Sequence, residues 1–347
     1  MIDYIQFLIF CCFIVGSYSE SNSLSEERTK AISKEFLAPR YSKTYDDGYF
    51  REIDFHGRKF YVRSKAEEII NWIVQEKRGE GKVSQAFEDI LRIGEAKSKD
   101  VEHGWCTKAH REANGGKHAI FLDIGANAGF YGMYAAACGC RTYFFDIQEE
   151  CHDWISSAID KNKFHHAALI PYPIGNVTQT LHIKERSNGC HGTFSFSSTG
   201  AEWYLDKMKI PEPLDVKMIR IDDILMHAMK ENTLQPIACI KVDVEGYEIG
   251  IIASMRNLVR HKQKTDGTHT VKNLVIELSP PRWSGLPNGG ITRQVAADII
   301  CDVLWDAGFD KVIAWGNYDW DDTKFSNREG FHKFIVEGKF LGISQDF

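Results

Sequence analysis

His118-Ala119-Ile120-Phe121-Leu122-Asp123 and Ile124-Gly125-Ala126-Asn127-Ala128-Gly129 form the stretch that decides the fold. An apolar run ends in an acid, and a loop of small residues follows at once. A helix-like segment, Phe130 to Cys138, comes next. The order is strand, tight loop, helix N-terminus. Glycine lets the backbone bend and lets a ligand approach where a Cβ would clash. The helix start is expected to present unpaired N–H groups and partial positive charge to an anionic ligand group.

The glycine spacing is not that of a dinucleotide loop. Starting at Gly125, that motif needs glycine at positions 127 and 130, where this chain has Asn127 and Phe130. What stands there, D-x-G-A-N-x-G, resembles the first motif of class I S-adenosylmethionine (SAM) methyltransferases, whose loop meets the methionine end of the cofactor. Arg141 to Phe145 reads as the next strand, closed by Asp146. An acid there, roughly 20 residues after the loop, can accept hydrogen bonds from ribose hydroxyls. On its own it could equally be a solvated acid at a strand end.

Ile237 to Glu248 reads I-A-C-I-K-V-D-V-E-G-Y-E. Cys239, Ile240 and Val242 give a buried strand, interrupted by Lys241. Asp243 and Glu245 sit at its carboxyl end, before Gly246. Ligands of open α/β sheets bind beyond the carboxyl ends of the strands, so Asp123, Asp146 and Asp243 are expected on one edge. An amphipathic segment follows from Glu248 to Val259, then a strand from Asn273 to Ile276.

These blocks, together with I-R-I-D-D-I-L at 219–225 and L-V-I-E-L at 274–278, are similar to FkbM-type SAM-dependent methyltransferases. The similarity covers roughly residues 118–280, and I-K-V-D-V-E-G-Y-E is its most specific piece. One departure is Asp146-Ile147, where the family commonly has Glu-Pro; the acid is retained. The resemblance implies an α/β fold with a doubly wound, Rossmann-like sheet, mostly parallel with an antiparallel last strand. It implies methyl transfer, often to oxygen, with SAM held by Asp123, Gly125, Ala126, Asn127, Gly129, Asp146, Ile147, Ile174 and Asp243. Asp243 is the first candidate for the reaction mouth and Glu245 the second, as general base or acceptor-orienting group. Each could instead be a carboxylate capping the strand-to-helix turn. His191 is a third candidate base, if its loop folds over the site.

Composition agrees with a large α/β domain plus an N-terminal extension: 347 residues, 43% hydrophobic. A net charge of −6 argues against a nucleic-acid binder that relies on basic phosphate contacts. The division expected is a signal peptide at 1–19, an extension or cap at 20–115 and the methyltransferase domain at 116–347. Ile5 to Val15 is too short to span a membrane and fits the core of a secretory signal, although Asp3 precedes it and no Lys or Arg does. A signal anchor is the runner-up, and an ordinary buried segment is third. The expected location is the secretory route, as a lumenal or secreted protein without a stable membrane span. Asn176-Val177-Thr178 is a glycosylation triplet.

Of nine cysteines, Cys11 and Cys12 fall in the leader. The odd number remaining leaves at least one unpaired or joined between chains. Connectivity is not legible, though Cys239 reads as a packed thiol. Cys138, Cys140, Cys151 and His152 lack the paired spacing of a zinc site, so no metal is expected.

Along the chain, 20–48 reads as a polar leader. Phe50 to Arg63 reads as a hairpin around His56-Gly57, and Ala66 to Gln75 and Val83 to Ile93 as helices. Ala168 to Ile174 is expected as the third sheet strand. Gln179 to Lys184 and Thr193 to Phe196 are expected to pair. Ile291 to Ala307 is expected as a helix, and Val312 to Trp315 and Phe331 to Val336 as the last strands. The acceptor could be a glycan hydroxyl, a small metabolite or a protein side chain. The alternative is a non-catalytic secreted binding protein on the same fold.

Overall fold

The computed structural model describes residues 50–63, 80–94, 102–183, 214–278, 291–309, 312–314 and 323–337, with short pieces at 71, 73–75, 186–187, 190 and 209–210. The leader, most of 66–75, His191, residues 193–196 and the aromatic acidic loop at 318–322 lie outside the described residues.

A hairpin comes first, β1 (Phe50–Phe55) with β2 (Arg58–Arg63), antiparallel. His56 and Gly57 both have positive φ, 44° and 72°. That is the two-residue turn whose twist matches the strands. Helix α1 (Glu80–Glu88) runs into a π turn at Asp89–Ile93, and α2 (Lys108–Ala113) follows. Then come β3 (Ile120–Ile124), α3 (Phe130–Cys138), β4 (Arg141–Phe145), α4 (Glu149–Asn162) and β5 (Ala167–Ile170). An excursion carries β6 (Gln179–Ile183), β7 (Arg186–Ser187), β8 (Lys209–Ile210) and β9 (Leu214–Met218). The chain returns through α5 (Ile221–Lys230), β10 (Ile237–Val242), α6 (Glu248–Ser254), α7 (Arg256–Arg260) and β11 (Leu274–Ile276). It ends in α8 (Arg293–Ile300), continued by a π turn to Trp305, then β12 (Val312–Ala314), β13 (Thr323–Phe325) and α9 (Arg328–Glu337).

The central sheet has the order β11-β10-β3-β4-β5, every neighbouring pair parallel. Crossover helices cover both faces, as parallel sheets require. Side chains divide accordingly. Ile120, Leu122, Ile124, Ile240 and Val242 join an apolar cluster with α5 to α9. Phe121 and Cys239 join a second cluster with α3, α4 and the hairpin. Asp123 and Lys241, by alternation, fall on this second face. The antiparallel pair β12–β13 forms a ladder of its own.

The N-terminal hairpin has a physical reason to be there. Every residue of α3 except Ala137 is buried. A helix apolar all round needs cover on its outer side as well as from the sheet. Phe55 and Phe60 supply it, edge-on to Phe130 at 5.0 and 5.5 Å between ring centroids. Asn162 of α4 completes the join, accepting from the Tyr61 N–H at 2.8 Å and donating to its carbonyl at 2.7 Å.

Two expectations are corrected. Residues 331–336 are helix, not strand. Phe331, Phe334 and Ile335 are buried at i, i+3, i+4 spacing, and Asn327 Oδ1 accepts the Gly330 N–H at 2.8 Å as an N-terminal cap. The third sheet strand stops at Ile170. The chain then bends, and Ile174 makes a separate parallel bridge to Ile219. β6 pairs antiparallel with β9, while residues 193–196, expected to pair with it, lie outside the described residues.

Candidate functional site

The strand ends position the acids. Asp123, Asp146 and Asp243 follow from β3, β4 and β10, three neighbours in a parallel sheet, and lie at one edge. Between them the loop bends tightly. Gly125 and Ala126 both donate to the Phe145 carbonyl, at 2.9 and 3.0 Å. Gly125, Asn127 and Gly129 have positive φ of 72°, 50° and 81°. Asparagine is among the few residues with a side chain that adopt that region readily. Its Oδ1 accepts the Ala128 N–H at 2.6 Å.

Asp123 is fully buried, and its Oδ2 accepts the Gly132 N–H at 2.8 Å. It therefore caps the first turn of α3. One N–H of the helix start is thus taken by the protein's own carboxylate. Asp123 holds the loop from inside.

Lys241 was read from sequence only as an interruption of an apolar strand. The register places it directly beside Asp123. Its Nζ lies 3.2 Å from Asp123 Oδ1 and 3.6 Å from Asp243 Oδ2, and donates to the Gly125 carbonyl at 2.7 Å. Burial pulls the lysine pKa down, but the two acids outweigh it and hold it above the ordinary value. Burial pushes Asp123 up, against the pull of Lys241 and the Gly132 amide. One buried cation thus ties two acids to the loop.

Asp146 is 5% exposed. Its Oδ2 accepts the Asn127 N–H at 2.7 Å and its Oδ1 the Gln148 N–H at 2.8 Å. A carboxylate has about four lone-pair sites, so capacity for a further donor remains on each oxygen. The first turn of α4 steadies it, with His152 Nε2 2.8 Å from the Asp146 carbonyl. Ile147 beside it is half-buried, and Ile174 is buried at the end of its own bridge to Ile219. Asp243 is the more open acid, its side chain 31% exposed.

Glu245 has a positive φ of 53° in the turn after β10. Glu248 caps the turn for which Asp243 and Glu245 were the candidates. Its Oε1 accepts the N–H of Gly246 at 2.9 Å and of Val244 at 3.3 Å. Glu248 is fully buried, and that burial pushes its pKa up to about 8. Between about pH 4.5 and 8 the folded state keeps a proton that the unfolded chain has released. This carboxyl therefore costs more stability as pH rises through that window, and the cost levels off above it. Glu248→Gln keeps the acceptor oxygen without the titration. The variant should gain about 4 kcal/mol on wild type between about pH 5 and about pH 9, as followed by urea unfolding.

Near the mouth, the Tyr247 hydroxyl donates to Asn176 Oδ1 at 3.0 Å. The Thr178 hydroxyl donates to Asp223 Oδ2 at 2.7 Å. Both polar residues of the glycosylation triplet are therefore engaged in side-chain hydrogen bonds.

Two disulfides lie among the described residues: Cys151–Cys190, whose Cys151 is in the first turn of α4 after Asp146, and Cys106–Cys140, at the amino end of β4 away from the acids. Cys140 and Cys151 are thus bonded to partners elsewhere in the chain. Cys138, Cys239 and Cys301 are buried free thiols, and burial raises the pKa of each. No helix among the described residues is long and apolar enough to cross a membrane.

The family model described as "Methyltransferase FkbM domain" matches residues 123–310. That span begins at Asp123 near the end of β3 and takes in the loop, the acids after β4 and β10 and the helices α3 to α8, which lie on both faces of the sheet. Neither a curated protein nor a solved structure matches the chain.

Proposed function

The chain belongs to the FkbM methyltransferase family, and from that premise we propose that it is a SAM-dependent methyltransferase acting on an acceptor hydroxyl in the secretory route. The observation that carries this reading is the bent loop 125–129 with Asp123, Asp146 and Asp243 around it on one sheet edge.

The residues present suit the cofactor. Asp146 would accept the ribose hydroxyls, with Ile147 and Ile174 as apolar neighbours for the adenine. Gly125 to Gly129 and Asp243 would face the methionine end. SAM supplies an electrophilic methyl group on a sulfonium. The protein's contribution to such a transfer is chiefly alignment of acceptor and donor. Asp243, half-open at the mouth, would orient the acceptor and take up its proton, with Glu245 as the second candidate. Asp123 and Lys241 are buried beneath and act by fixing the loop.

Two disulfides in one domain support an oxidising compartment, since such bonds are rare in the cytosol. They favour the secretory reading of the leader. A glycan hydroxyl is the acceptor class that fits that compartment best. Asn176 is the N-glycan acceptor that the same route would offer. A lumenal enzyme of this kind requires imported SAM. The non-catalytic alternative is disfavoured by the retained acids and glycines.

Incubating the full chain with labelled SAM and with glycan, metabolite and protein extracts tests the reading. Label in a base-stable glycan or metabolite product is expected. Label in none of the three, from folded protein that binds SAM, would contradict catalysis. A narrower prediction concerns Asp146. Asp146→Ala should weaken SAM binding by roughly 10–100-fold, as charged hydrogen bonds of this kind contribute about 1.5–3 kcal/mol. Calorimetric titration checks it.

A further inference from the structure

The Cys151–Cys190 bond joins two parts of the chain that the sheet does not connect. Cys151 lies in the first turn of α4, fully buried. That turn also carries Gln148 and His152, which hold Asp146 through a backbone N–H and a ring nitrogen. Cys190 belongs to the excursion between β6 and β9 and is 4% exposed. Its sulfur lies 3.7 Å from Asn127 Oδ1, the oxygen that also accepts the Ala128 N–H. A disulfide sulfur has no proton to donate, so this is a packing contact. The bond therefore spans from the turn beneath Asp146 to the outer side of Asn127. Those two residues are themselves joined by the Asn127 N–H on Asp146 Oδ2 at 2.7 Å.

We propose that the Cys151–Cys190 disulfide is a positioning element of the cofactor loop, holding Asn127 against Asp146 from the outside; this rests on the SAM reading of that loop. Asn127 sits at positive φ, a region asparagine enters more readily than most residues but that its neighbours still have to hold in place. Without the bond, the contact at Asn127 Oδ1 depends on an excursion no longer tied to α4. The loop then samples open states more often. Cofactor affinity is then scaled down by the fraction of time the loop is competent. When a dithiol reduces the bond, two electrons and two protons pass to the cysteine sulfurs and the reagent closes to a cyclic disulfide. The consequence is a cofactor site that is complete only where the pair is oxidised. The other disulfide, Cys106–Cys140, has no such contact with the loop and serves as the control.

The test is residue-resolved amide hydrogen exchange on the full chain, comparing C151S/C190S with C106S/C140S. Exchange at Asn127 and Ala128 is expected to rise about tenfold or more in the first variant and not in the second, with β3 amides unchanged in both. SAM dissociation constants should rise about tenfold in the first variant alone. Should C151S/C190S fail to fold, oxidised C106S/C140S protein is treated with a dithiol under native conditions and read in the same way. Equal exchange at Asn127 and Ala128 in both variants, or a rise spread evenly over β3 as well, would overturn the proposal. The exchange result stands whether or not SAM binds. Absent SAM binding by the wild-type chain counts against the functional reading instead.

Discussion

Gly125→Ala is expected to abolish SAM binding and to cost the fold more than about 3 kcal/mol. A Cβ built at Gly125 would lie 1.7 Å from the Asp243 carbonyl oxygen and 2.9 Å from Val244 Cγ1. The first of these is backbone, so it cannot rotate away. The residue also has φ +72°, where an L side chain is strained. Relief requires β3 and β10 to part at the end where their acids meet, or the loop to leave the Phe145 carbonyl. Gly129→Ala is the matched comparison. Its φ is +81°, but a Cβ there meets side chains rather than backbone: Ile155 Cγ1 at 3.1 Å, then Phe144 Cε1 at 3.4 Å and Met133 Cε at 3.7 Å. A flexible side chain can yield, so the cost should be nearer 1 kcal/mol. Urea unfolding and calorimetry of the two variants check both the order and the gap.

Lys241→Met is expected to destabilise by about 3–5 kcal/mol, since it leaves Asp123 as a buried charge without its cation. The Gly125 carbonyl loses its donor in the same change. Asp123→Asn should restore part of the loss in the double variant, because the uncompensated charge is then removed while an acceptor for the Gly132 N–H is kept. A double-mutant cycle by denaturant unfolding measures this. A sum of single effects with no coupling would mean that the ion pair does not hold the loop. The double variant should still bind SAM poorly, as Gly125 remains untethered.

Much of the site was legible because its parts are local. Asp123 and Asp146 each close an apolar run, and the loop glycines fall between them in a few residues. Strand-end acids share an edge in any parallel sheet, so Asp243 could be added from a third run. Lys241 was visible as an oddity, but its meaning depends on the β3–β10 register, which joins distant segments. A charged residue inside an apolar strand, level with an acid in another, was the available signal. Glu248 is different: its capping bonds reach only two and four residues back, so the turn could have revealed it. Phe331 to Val336 was misread because Phe334, Ile335 and Val336 form a short β-like run, while burial follows the helical spacing that includes Phe331. The pairing of Cys151 with Cys190 had no local signature at all. The hairpin itself was legible from its alternation around His56-Gly57, but its packing on α3 joins segments about 70 residues apart.

Calorimetric titration of the folded full-length chain with SAM, alongside Asp146→Ala, tests the central claim most directly. One saturable site in the wild type, weakened at least tenfold in the variant, is the expected result. Folded wild-type protein giving no binding heat at several temperatures, or equal affinity in both proteins, would contradict it.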